Sequence, residues 1–129
     1  MRRFALCLAA LLMVSSTAWA DACKDAVDDA HSALAQLKSN TRDLDGRLQD
    51  YAGTSYDSAA CLNLDQIRLL ADKARRSVSS LSQACSQMAR RCNGPSVQKV
   101  VANCNAEANA NARAVDNAQN RIANFRRSC

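Results

Sequence analysis

The 129-residue chain carries 17 Lys and Arg against 12 Asp and Glu, for a formal net charge of +5, and contains 3 Gly, 1 Pro, 1 Trp, 2 Tyr and 2 Phe. That length suits a single domain, and a composition rich in Ala, Leu, Gln, Arg and Asp and poor in turn-formers argues for helices and against a sheet protein. So few aromatic rings also argue against the base-stacking platforms of single-strand nucleic-acid binders, and no nucleic acid, metal or cofactor is expected.

The first element is a leader. Arg2 and Arg3 form a basic start, residues 4–14 an apolar run, and Ala18-Trp19-Ala20 the small residues wanted before a cleavage point. This is the pattern of a signal peptide, too short to span a bilayer, with cleavage expected after Ala20. A lipid-modified Cys23 fits poorly, because Asp21 stands two residues before it and five cysteines would be left. A twin-arginine signal fits poorly too, because Phe4 directly follows the Arg pair. The short basic start and Ala-Trp-Ala ending have the bacterial form, which points to the periplasm, with full release as the alternative. The expected division is a signal peptide over residues 1–20 and one helical domain over 21–129.

Cleavage removes Cys7 and leaves Cys23, Cys61, Cys85, Cys92, Cys104 and Cys129. An even number in an oxidising compartment predicts three disulfides. The intervals do not serve a zinc or thioredoxin-like site, which want CxxC-type spacing, and the only histidine is distant in sequence.

Three segments follow. Apolar residues recur in alternating threes and fours from Cys23 through Leu37 and Leu48 to Tyr51, from Leu64 through Ala74 and Cys85 to Cys92, and from Val97 through Ala108 and Ile122 to Cys129. That is the a/d seam of a coiled coil, interrupted by polar residues only at Thr41 and Asn111, where Asn111 is expected to help set register. The stretch AGTSYDSAAC, residues 52–61, separates the first two segments; Asn93-Gly94-Pro95 separates the last two, with Gly94 expected to end one helix and Pro95 to start the next. The prediction is an antiparallel three-helix bundle with coiled-coil-like seams, each helix about 45 Å long. If Ser39-Asn40-Thr41 or Gly46 splits the first helix, a four-helix bundle results instead.

Seam register places the cysteines. In an antiparallel pair, facing residues have a constant number sum. Leu64/Phe125, Ile67/Ile122, Leu81/Ala108 and Cys85/Cys104 share 189; Leu48/Ile67, Leu34/Leu81 and Cys23/Cys92 share 115; Cys61/Cys129 fall one off the first sum. The expected bridges are Cys23–Cys92, Cys85–Cys104 and Cys61–Cys129, out of fifteen connectivities. A slip by one heptad preserves constant sums, so the short Asn-Gly-Pro turn carries the choice. Six cysteines on helices resemble elicitins and odorant-binding proteins in number alone; the intervals differ from the odorant-binding pattern and nothing is carried over from either family.

Candidate chemistry is sparse. His31 has Asp28 and Ser32 nearby, but Ser32 points off the shared face and no nucleophile motif accompanies it. Asp21, Asp25, Asp28 and Asp29 read as favourable charge at the start of the exported helix. In Asp43-Leu44-Asp45-Gly46 the glycine stands wrongly for a calcium loop. Charge is asymmetric: residues 21–72 hold ten acids and five bases, residues 73–129 two acids and ten bases. Either the acids of the first helix neutralise the other two within the bundle, or the second half presents a basic face to anionic polymer, lipid or an acidic partner. At the end opposite Asn-Gly-Pro, Tyr51, Tyr56, Asp57, Arg126 and Arg127 surround the longest connection, and Tyr and Arg are frequent binding anchors.

The expected function is a non-enzymatic protein-binding module, such as an inhibitor or immunity protein. The alternatives are an envelope-associated binder of anionic polymer or lipid, and a structural coiled-coil spacer.

Overall fold

A computed structural model describes residues 2–52 and 58–129, with side chains from residue 20 onward except that of Ser58. Three helices make up the described chain: α1 (Arg2–Ala52), α2 (Ser58–Arg91) and α3 (Pro95–Arg126). The four-helix alternative is corrected here, because α1 passes unbroken through Ser39-Asn40-Thr41 and Gly46. Gly46 is exposed and nothing crowds it, so its only penalty is backbone entropy, which a long packed helix absorbs. The helix also starts at Arg2, so in the full chain Asp21, Asp25, Asp28 and Asp29 sit well inside it. Their helix-terminus role applies only to a chain cut after Ala20.

The turn between α2 and α3 differs slightly from expectation. The α2 helix stops at Arg91, and Cys92 N–H still reaches the Met88 carbonyl at 3.0 Å. Gly94 caps α3 rather than ending α2. It takes φ 122° and ψ 161°, a region in practice reserved for glycine. Pro95 then opens α3, where its missing N–H costs nothing.

All three expected bridges are present. Cys23–Cys92 joins α1 to the end of α2 with Cα atoms 4.8 Å apart, Cys85–Cys104 joins α2 to α3 at 5.7 Å, and Cys61–Cys129 closes the far end at 5.9 Å. Tight hydrogen bonds from Ser128 and Cys129 N–H to Phe125 and Arg126 carbonyls turn the chain back toward Cys61. These links fix the register and rule out a heptad slip.

The seam reading also located the core. Leu37, Leu44, Leu48, Tyr51, Leu64, Ile67, Leu81, Cys85, Met88, Val115 and Ile122 are all buried. Bulk is distributed unevenly. At the end opposite the turn, Leu44, Leu48, Tyr51, Leu64, Ile67 and Ile122 form one cluster. Near the turn the buried set is Ala26, Ala30, Ala84, Met88 and Cys92. Two of the three bridges lie at that alanine-lined end, where apolar burial stabilises least.

Both polar seam residues are satisfied on their own helix. Thr41 Oγ1 donates to the Leu37 carbonyl at 2.9 Å and Asn111 Nδ2 to the Glu107 carbonyl at 2.8 Å. Asn111 therefore does not set register through an interhelical bond. Between α1 and α2, Asn40 Nδ2 donates to Ser77 Oγ at 2.7 Å. Among the described residues no buried side-chain nitrogen or oxygen lacks a partner.

Helix α2 is the middle member and packs along both others, whereas α1 and α3 run parallel on its two sides and touch sparingly. Two clefts in the space between them make up a long furrow, lined in one part by Thr41, Leu48, Asn111 and Ala118 and in the other by Leu34, Leu81 and Cys104.

Candidate interaction surfaces

At the end opposite the Asn-Gly-Pro turn the five predicted contact residues separate. Tyr51 is 1 % exposed, its ring tilted against Phe125 with centroids 4.9 Å apart and its hydroxyl 3.8 Å from Cys129 Sγ. It is a core residue packed beside the Cys61–Cys129 bridge, with almost no surface to offer a partner: an a/d position at the closed end of a helix pair is where packing needs bulk. Arg126 and Arg127 are exposed. Arg126 reaches Asp65 on α2 at 3.3 Å, and Arg127 makes no ion pair among the described residues. Tyr56 and Asp57 lie outside the described residues.

Direct pairing between the acids of α1 and the basic half is sparse among the described residues. Among the described residues, Arg75–Asp116 and Arg126–Asp65 join α2 to α3, and only Arg121–Asp45, at 4.0 Å, links α1 to the basic half. Arg75 also bonds Gln119. Lys73, Arg76, Arg90, Arg91, Lys99, Arg113 and Arg127 form no ion pair among the described residues and stand exposed. Lys99 and Arg113, two heptads apart, lie on the exposed side of α3, and Arg127 follows just past its end.

His31, Asp28 and Ser32 do not assemble. His31 lines a cleft between α1 and α3, whereas Ser32 lines a different one between α1 and α2. The four early aspartates are exposed, and no group of three or more His, Cys, Asp or Glu among the described residues is placed to hold a metal ion.

Two features escaped the seam pattern. Leu62 and Leu69, one heptad apart, are 70 % and 66 % exposed on the outer face of α2. Their spacing from the seam residues Leu64, Ile67 and Ala71 was a usable signal. The second is the cleft containing His31 and Glu107, which depends on how far α1 and α3 splay. Comparison with known protein families, curated proteins and solved structures gives no match.

Three disulfides fit an oxidising compartment. Among the described residues no helix is long and apolar enough to cross a membrane.

Proposed function

We propose that residues 1–20 direct export to the periplasm or beyond, and that residues 21–129 act there as a non-enzymatic protein-binding module of the inhibitor or immunity type. The observation that carries this reading is the placement of the bridges. They tie α1 to α2 and α2 to α3 at the turn end, and close the opposite end beside Arg126 and Arg127. A scaffold held in this way has little conformational freedom to lose when a partner docks. The two arginines are the described part of the candidate contact surface, and Tyr56 and Asp57 are its further candidates from the sequence.

The test is capture from envelope and culture fluid by the oxidised 21–129 protein at low and high salt. One stoichiometric protein retained at high salt, and lost on combined Tyr56→Ala, Arg126→Ala and Arg127→Ala substitution, is the expected result. Retention by the triple variant removes this end as the site.

A second reading has its own support in the seven basic side chains of residues 73–129 that form no ion pair among the described residues. They suit an anionic polymer or lipid surface. Such binding collapses with salt, since the screening length falls from about 10 Å at 0.1 M to about 3 Å at 1 M. A broad set of anionic species, released by salt, favours this reading over the first.

A further inference from the structure

The furrow between α1 and α3 changes character along its length. Toward the closed end it is strapped by Asp45 and Arg121. Two heptads back along the same parallel helices, His31 and Glu107 occupy the corresponding positions. No ion pair joins them, and between them opens a cavity of about 250 Å³. Its floor is Leu81 and Met88 of α2, and its walls are Val27 and Leu34 of α1 with Val100 of α3. Leu81 is 1 % exposed, yet Val100 at the lip is 48 % exposed, so water reaches an otherwise apolar recess.

The polar groups lining the cavity are His31, Asn103 and Glu107. Glu107 has no basic partner among the described residues; only its backbone carbonyl is engaged, by Asn111. Lys24 and Lys38 flank His31 by one heptad on either side, about 10 Å along the helix, and neither lines the cavity. Glu107 therefore supplies the one carboxylate at the mouth of an otherwise apolar recess. The space is far too small for a partner helix, whose diameter is about 10 Å. A 150 Å³ apolar cavity accepts benzene, so this one suits about ten non-hydrogen atoms.

We propose that this cavity binds a small apolar molecule ending in a protonated amine. The apolar body lies on Leu81 and Met88 between Val27 and Val100, and the ammonium group donates to the Glu107 carboxylate and the Asn103 side-chain oxygen. The site is separate from the Arg126 and Arg127 surface and does not depend on it.

The test is a methyl-resolved NMR titration of the oxidised 21–129 protein with three probes of similar shape and different charge: phenethylamine, phenethyl alcohol and phenylacetate. Saturable shifts are expected at Val27, Leu34, Met88 and Val100, with the amine tightest and the carboxylate weakest. Glu107→Gln, at an exposed position that leaves the core intact, is expected to weaken the amine about five-fold, the scale of an exposed ion pair, and to leave the alcohol unchanged. Val100→Trp, which covers the mouth from the rim, is expected to abolish all three. Absence of saturable shifts, shifts centred elsewhere, equal binding of the three probes, or an amine affinity indifferent to Glu107→Gln would overturn the proposal.

Discussion

Single residues carry unequal weight in this bundle. Leu37 is fully buried where the three helices meet around Leu81, Cys85 and Ala108, so Leu37→Ala is expected to destabilise by about 2–5 kcal/mol in urea unfolding of the oxidised protein. The glycines give opposite signs. Gly46 is helical, exposed and uncrowded, and Gly46→Ala is expected to stabilise by about 0.5–1 kcal/mol. Gly94 has φ 122°, and Gly94→Ala is expected to cost about 1–3 kcal/mol even though no atom obstructs a Cβ there. Both follow from the same denaturation midpoints, and a Gly46→Ala variant less stable than the parent would mean that α1 is locally broken there. Gly94 was readable as the turn residue because few other residues end one helix beside a proline. Its position as the cap of α3 was not readable, because the last turn of α2 can stop at several residues with equal sequence support.

At the scale of elements, the a/d pattern exposed most of the architecture. Each helix buries the seam its periodicity marks, and the antiparallel sums brought the cysteines together in the right pairs. What the pattern left out has two physical sources. Ala26, Ala60 and Ala84 are buried although they lie beside the seams: small side chains let neighbouring helices approach closely, so burial spreads past a and d. The sparse α1–α3 contact was also invisible, because no turn joins those helices and a heptad repeat does not say how far two outer helices close over the middle one. The cavity beside His31 follows from that splay. The bridges differ in what they hold. By chain entropy the Cys85–Cys104 link, 19 residues apart, is worth about 3 kcal/mol and the Cys23–Cys92 link, 69 apart, about 4.4 kcal/mol. Paired Cys→Ser variants are expected to lose stability in that order in urea melts, with non-additive losses when both are removed, since they brace the same alanine-lined end.

For the whole molecule, the charge division sets the expected behaviour. Seven bases without an ion pair among the described residues, four on α2, two on α3 and Arg127 just past its end, stand against the aspartates at 21–29 of α1 and give one protein two electrically different regions. Capture of anionic species by the bundle is expected to fall steeply between 0.1 and 1 M salt, whereas the specific complex through the Arg126 end is expected to persist. Tyr56 and Asp57 were identifiable only as part of a polar stretch between two heptad segments: such a composition names no partner, and a binding surface is defined by shape that a heptad pattern does not encode. The six cysteines of residues 21–129 were legible as three bridges, which fit an oxidising compartment.

Export and the three staples stand or fall together, and the intact mass of the protein recovered from its native host, under conditions that trap free thiols, tests both at once. The expected species begins at Asp21, carries no thiol label, and has lost the hydrogens of three disulfides. A full-length chain beginning at Met1, or a mature chain bearing labelled thiols, would contradict a stapled, exported binding protein.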